Sequence, residues 1–354
     1  MIRTLVAGTA VAALASGALA QDAEFTLRIQ THLSPESLSG RSAAQFFDDV
    51  TTMSGGRIAI EPFYSSAVVK SVETFDAAVN GILDADMTGG AYQTGKDPAF
   101  QFVGDPMGGY DTPWQMYAFL YNGGGLEAAQ ALYNEYGMQL IGWWIPGQES
   151  LASSSPIADP AALENWKFRS PPGMETMIFA NLGASPIVMD FTEVFTALES
   201  GIIEGTDHSN LSTSQSVGIY DVVKHATYPG FHSMPADHLA IRKDVWDAMP
   251  EDLQRILDVA MQKLAFRTTL AYQVDIQRAA NELEAAGVTM HDWSEEDRRT
   301  FRDAAIAAWD EFATTEQSKA MVEQHKEFLT TIGLFGDGSS EADANTGASG
   351  GTSQ

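Results

Sequence analysis

The chain has 354 residues, of which 47 are Asp or Glu and 20 are Lys or Arg, giving a formal net charge of −27; the resulting field repels nucleic acid and anionic membrane surfaces. With no cysteine, disulfide frameworks, thiolate catalysis and Cys-rich zinc or iron–sulfur sites are excluded, and stability has to come from a hydrophobic core. An anionic ligand would need a local cation acting against the overall charge.

The first twenty residues, "MIRTLVAGTAVAALASGALA", carry a basic Arg3, a short apolar run and Ala18-Leu19-Ala20, the layout of a cleavable secretory signal over 1–20. The run is shorter than a spanning helix and is interrupted by Ser and Gly, so an exported chain is expected. Phe25, Leu27 and Ile29 then alternate as on a half-buried strand. "RSAAQFFDDVTTM" reads as a helix stopped by Gly55-Gly56, "RIAIEPF" as a strand, and "SVETFDAAVNGILDADMTGG" as helix then strand. This alternation argues for an α/β unit with a largely parallel sheet.

Two helical stretches flank "YNGGG" (121–125), and "MQLIGWWIP" (138–146) is an aromatic-rich strand. A second unit begins with "NWKFRS" as a strand, a helix closed by Gly183, the strand "SPIVMD" and a helix closed by Gly201. The Pro/Gly-rich "HATYPGFHSMPADHLAI" (225–241) crosses back into a strand. From Pro250, with Glu251 and Asp252 in the first turn, a long helix runs to about Gly287. Ser294 and Asp297 cap a further helical region to about Thr331, and residues 336–354 lack apolar periodicity and are expected to be disordered. The resulting expectation is 21–147 plus 235–275 as one α/β domain, 148–234 plus 276–335 as another, and a ligand cleft between them.

No G-x-S-x-G, H-E-x-x-H, G-x-G-x-x-G or Walker loop occurs. His225, His232 and His238 do not share a helical face, and Pro229, Gly230 and Pro235 interrupt them, so they read as loop histidines. Asp207 and His208 in "TDHSN" fit equally a ligand-orienting pair and a capped polar turn. Trp143 and Trp144 point to opposite sides of one strand, so at most one can face a cleft. Arg169 ends a strand just before Pro171-Pro172-Gly173 and a helix N-terminus. A guanidinium held there suits bidentate capture of a carboxylate; a salt bridge with one of the many acids is the alternative.

The stretches "YQTGKDPAF", "LYNGGG", "WKFRSPPG", "FTEVFTALESGIIEGTD" and "YPGFH", taken together and in this order, resemble the solute-binding proteins of tripartite ATP-independent periplasmic (TRAP) transporters, in the branch of 2-oxoacid and lactate binders. The resemblance implies a two-domain periplasmic-binding-protein-like α/β fold with an interdomain cleft and long C-terminal helices. It also implies a periplasmic protein that closes on a small organic acid and passes it to the TRAP membrane permease, with a homodimer through those helices as one possible arrangement. Arg169 corresponds to the carboxylate clamp and Tyr92 to a cleft-facing tyrosine. His208 stands where relatives contact the ligand, and Asp207, Gln148, Trp143 and Phe231 complete the expected contact set. Relatives that hold a cation beside the ligand use a glutamine and two acids; here those positions read Ala152, Asp207 and Ser233. Asp207 alone is a poor nucleus for a hard cation, so no metal or other cofactor is expected. A reading from another class is an exported α/β hydrolase or lyase with Asp207 and His208 as an acid–base pair.

Overall fold

The computed structural model describes residues 23–335; the signal expected over 1–20 and the tail expected over 336–354 lie outside them. Strands β1 (Phe25–Thr31), β2 (Ile58–Phe63), β3 (Ala85–Met87) and β4 (Met138–Trp144) come first. The chain then crosses and builds β5 (Ser150–Ser153), β6 (Lys167–Ser170), β7 (Ser185–Val188), β8 (Gly205–Ser209) and β9 (His225–Thr227). It returns as β10 (Asp237–Arg242) and later adds β11 (Thr289–His291). Two sheets result, ordered β2-β1-β3-β10-β4 and β11-β9-β5-β8-β6-β7.

Both sheets are mixed rather than largely parallel. β1 pairs in parallel with β2 and β3, whereas β10 runs antiparallel to β3 and β4. In the second sheet β6 is parallel to β7 and β8, while β5 is antiparallel to β8 and β9. The antiparallel strands are those that arrive directly from the other domain. A βαβ crossover, which enforces parallel order, has no part in placing them.

Helix Glu251–Ala285 has 35 residues, about 50 Å at 1.5 Å per residue, and serves both domains. Leu253, Leu257, Met261 and Leu264 join the core of the first, and Ala279, Ala280 and Leu283 join that of the second. Between these stretches, Tyr272 Oη lies 2.9 Å from Ser39 Oγ in the first domain and 2.9 Å from Thr213 Oγ1 in the second. This buried side chain ties the middle of the helix to both domains.

Strands β1–β4 and β10 make one sheet and β5–β9 with β11 the other, while the last helix, expected with the second domain, lies against the first. Helix Glu316–Thr331 packs on Ala99–Gly104 and Gly125–Glu135 of the first domain. His325 anchors it: Nε2 donates to Phe102 O at 2.7 Å, Nδ1 accepts from Tyr110 Oη at 2.8 Å, and the ring stacks on Phe119 at 3.8 Å. The carbonyl can only accept, which assigns the tautomer. Burial pushes the His325 pKa down to about 4, against a partly opposing hydrogen bond to Phe102. The unfolded chain therefore takes up a proton between pH 6.5 and about 4 that the folded chain refuses. The stability His325 contributes is complete above pH 6.5 and is lost as pH falls toward 4, by on the order of 3 kcal/mol. The difference in unfolding free energy between the wild type and His325→Gln should shrink over that interval, which urea titrations at pH 7 and pH 4.5 will check; an unchanged difference contradicts the assignment.

Candidate functional site

Arg169 is the third residue of β6, flanked by β7 and β8, which run parallel to it. Its guanidinium lies across the carboxyl ends of its neighbours: Nε donates to Met189 O at 3.2 Å and Nη1 to Asp207 O at 2.7 Å. The chain cannot continue the strand past Ser170, because Pro171 lacks the amide a ladder needs. Arg169 is only 2% exposed, and among the described residues no carboxylate pairs with it within 4.0 Å. The expected helix N-terminus follows, but its first amide, Met174 N, donates to Gln101 Oε1 of the first domain at 2.9 Å. That terminus braces the cleft rather than facing it.

Arg169 lines a cavity of about 80 Å³ between the domains, on the order of six water-sized positions at ~10–15 Å³ each. The first domain contributes His32, Tyr92, Asp105 and Asp237; the second contributes Arg169, Phe191, Asp207 and His208. Phe191 stacks on His208 at 3.9 Å and meets His32 edge-on at 5.3 Å, giving the chamber an apolar wall. Burial lowers the His32 pKa to about 4 and the His208 pKa to about 3, so both rings are neutral at pH 7. Burial keeps the Tyr92 hydroxyl protonated.

The chamber and its surroundings also hold several buried carboxyl groups. Burial, with the charges of Asp105 and Asp86, raises Asp237 to about 8, and burial raises Asp105 to about 6. Glu149 and Glu175 lie well above the usual carboxylate range, first through burial and then through the charge of Asp207. Burial would raise Asp207 too, but His232 and Arg169 outweigh it and hold Asp207 below its ordinary value. Ser233 Oγ is 2.7 Å from Asp105 Oδ2 and 2.9 Å from Glu149 Oε2. One hydroxyl proton cannot serve two carboxylates at once, so Ser233 donates to one of the two at a time.

Several expectations need adjusting. Asp207 is not alone: His232 Nε2 lies 3.2 Å from its Oδ1, and Glu149, Asp207 and His232 each offer a ligand atom within 4.8 Å of the others. His232 and His238 are not solvated loop histidines. The first is buried beside Asp207, and the second joins β10 to β3 through Asp86 at 2.8 Å. Asp207 does not orient His208, whose Nδ1 lies 3.4 Å from Ser214 Oγ. Neither Trp143 nor Trp144 reaches the chamber; they fill separate cores on the two faces of β4. Gln148 donates to Tyr110 O at 3.0 Å, and Phe231 packs on Trp293 at 4.5 Å; both border an outer hollow rather than the cleft cavity.

That outer hollow is larger, about 1100 Å³, but three of its four cations are already paired, Arg298 with Asp292, Arg302 with Asp111 and Lys326 with Asp310, and the fourth, Arg299, is exposed to solvent. Exposed pairs of this kind attract a further anion weakly. Size favours the outer hollow and chemistry favours the cleft; an unpaired buried guanidinium decides for the cleft.

"YPGFH" earns its glycine here. A Cβ on Gly230 would lie 2.0 Å from Glu149 O, so only glycine lets this turn lie against the segment that carries Glu149 just before β5. Gly230→Ala should destabilise the protein by about 1–3 kcal/mol, read as a lower urea midpoint; an unchanged midpoint would mean that the contact relaxes freely.

The sequence profile of bacterial extracellular solute-binding protein family 7 (DctP) matches residues 29–316. The chain belongs to this family. As a family 7 protein of the TRAP type it is a transport component and not an enzyme, which removes the hydrolase or lyase reading of Asp207 and His208. A monocarboxylate 2-oxoacid-binding periplasmic protein of Nostoc sp. is 25% identical over 295 residues, covering 80% of this chain and 78% of its own. A TRAP solute-binding protein of Rhodobacter sphaeroides, solved in an apo open state, is 32% identical, with TM-score 0.70 over 87% of this chain and 99% of that one. Another from Bordetella bronchiseptica, a dimer with copurified calcium and picolinate in its occupied site, is 22% identical, with TM-score 0.83 over 93% and 98%; at that identity the likeness shows the fold. The family is periplasmic, and no helix among the described residues is long and apolar enough to cross a membrane.

Proposed function

We propose that this family 7 protein captures a small organic carboxylate on Arg169, closes its domains over it and delivers it in the periplasm to the membrane subunits of a TRAP transporter. The observation that carries the reading is a buried guanidinium that, among the described residues, hydrogen-bonds to two backbone carbonyls and pairs with no carboxylate while lining a cavity. Burying an unneutralised charge is unfavourable, and an incoming carboxylate supplies both the countercharge and acceptors for the remaining N–H groups. Tyr92 and His208 complete the wall around the acid's body, and the chamber's volume limits the ligand to a compact molecule such as a 2-oxo, 2-hydroxy or small aromatic acid. Relatives support the class: the Nostoc protein is named for 2-oxoacids and the Bordetella protein holds picolinate. The Bordetella protein is also a dimer, and here Phe266, Leu270 and Val274 line the exposed side of the long helix, an apolar surface suited to a second copy.

The test is a thermal-melting panel of organic acids on the purified protein, with and without a chelator. An acid at a hundred times its dissociation constant should stabilise the fold by ~2.7 kcal/mol, a shift of a few degrees. A panel in which no small carboxylate produces a shift contradicts the reading.

A further inference from the structure

His232 is fully buried, and Asp207 and Glu149 are nearly so. Among the described residues, neither ring nitrogen of His232 makes a well-aligned hydrogen bond, and Asp207 Oδ1 makes none, although the imidazole Nε2 is only 3.2 Å from that oxygen. Buried polar groups are almost always satisfied, and those that are not call for a partner. Glu149 completes a set of three ligand atoms within 4.8 Å of one another, a spacing that a small side-chain adjustment closes around one ion at zinc–ligand distances of about 2.0–2.2 Å. The three residues come from separate segments: the crossing before β5, strand β8, and the turn that Gly230 allows to pack against Glu149.

We propose that Glu149, Asp207 and His232 form a site for a divalent first-row transition-metal ion, with Zn²⁺ as the test case. The donor set selects the class. Imidazole nitrogen favours zinc and its neighbours in the first row, whereas calcium takes six to eight oxygens. Two carboxylates balance a doubly charged ion, so the loaded site buries no net charge. Three protein ligands leave a fourth position open. Since Glu149 and Asp207 line the cleft cavity while His232 does not, that position faces the chamber. The metal site rests on its own three residues; only the further step, in which an oxygen of the bound acid occupies the open position, depends on the carboxylate reading above.

The experiment is calorimetric titration of chelator-stripped protein with ZnCl₂, MnCl₂ or CaCl₂ alone, with X-ray absorption at the zinc edge of the loaded protein. His225 Nδ1 and His291 Nε2 lie 3.0 Å apart at the edge of the second sheet and could take zinc themselves, so His291→Ala serves as the control. The expected result is one Zn²⁺ per chain in that control, calcium bound at least tenfold more weakly, one imidazole with oxygen donors in the absorption spectrum, and at least a tenfold loss of zinc affinity in both His232→Ala and Glu149→Gln. If His232→Ala does not fold, by circular dichroism, Glu149→Gln and the spectrum decide. The inference is overturned by the absence of stoichiometric zinc uptake, by uptake that survives Glu149→Gln unchanged, or by uptake that disappears in His291→Ala. A carboxylate that stabilises stripped protein which takes up no zinc sinks this inference and leaves the Arg169 reading standing; zinc uptake with no acid bound by any form of the protein does the reverse.

Discussion

Arg169→Ala should lower affinity for the bound carboxylate at least a hundredfold while the protein stays folded. The guanidinium is buried, and its two strongest positional constraints, Met189 O and Asp207 O, hold it across the ends of β7 and β8 whether or not a ligand is present. The carboxylate therefore meets a preorganised donor set and does not have to order it. Removing one member of a buried ion pair costs roughly 3–5 kcal/mol, a factor of about 10²–10⁴ in dissociation constant. Arg169→Lys separates charge from geometry. It keeps a cation but cannot bond two carbonyls and still offer a planar fork, so its affinity should fall between the wild type and the alanine variant. Isothermal titration calorimetry with the best acid from the melting panel measures both, and alanine and wild-type affinities within tenfold of each other would remove Arg169 from the site.

Trp309→Ala should do the opposite, lowering stability by about 3–5 kcal/mol and leaving the affinity of the folded protein nearly unchanged. Trp309 is fully buried, donates to Met107 O at 3.0 Å and meets Phe102 and His325 edge-on at 6.0 and 5.6 Å. It thereby joins helix Glu295–Phe312, which packs on the second domain's helix Met174–Asn181, to the loop after Ala99–Gly104 in the first. It does not line the ligand cavity. Differential scanning calorimetry and ligand titration on the same preparation check both halves. A variant with wild-type melting would show that this seam contributes little, and one with lost affinity at full stability would place Trp309 in the binding machinery.

The parts of the molecule legible in the sequence were those governed by local periodicity. Phe25, Leu27 and Ile29 announced β1, and Gly183 and Gly201 marked two helix ends. Arg169, Tyr92, Asp207 and His208 came together in one chamber, with Arg169 in β6, Asp207 and His208 in β8, and Tyr92 in the turn that follows β3. What stayed hidden depended on phase in irregular backbone. Gln148 and Phe231 drew attention, yet it is their neighbours Glu149 and His232 that stand beside Asp207. In a regular strand alternation tells inward from outward, but β5 shifts register at Ser150/Leu151 and "YPGFH" is a turn, so a one-residue error in phase exchanges the two faces. Phe191 and His32 were hidden for another reason: their roles come from stacking between domains, and no sequence spacing relates them. The antiparallel entry of β5 and β10 and the docking of helix Glu316–Thr331 on the first domain are likewise set by long-range packing.

The most direct test of the central claim is a crystal structure of the protein with the acid that gives the largest melting shift. Its carboxylate is expected on Arg169, at about 2.8 Å as in charge-assisted hydrogen bonds, enclosed by Tyr92, Phe191 and His208. A carboxylate bound instead in the outer hollow beside Arg298 and Arg302, with the cleft around Arg169 holding none, would contradict that claim.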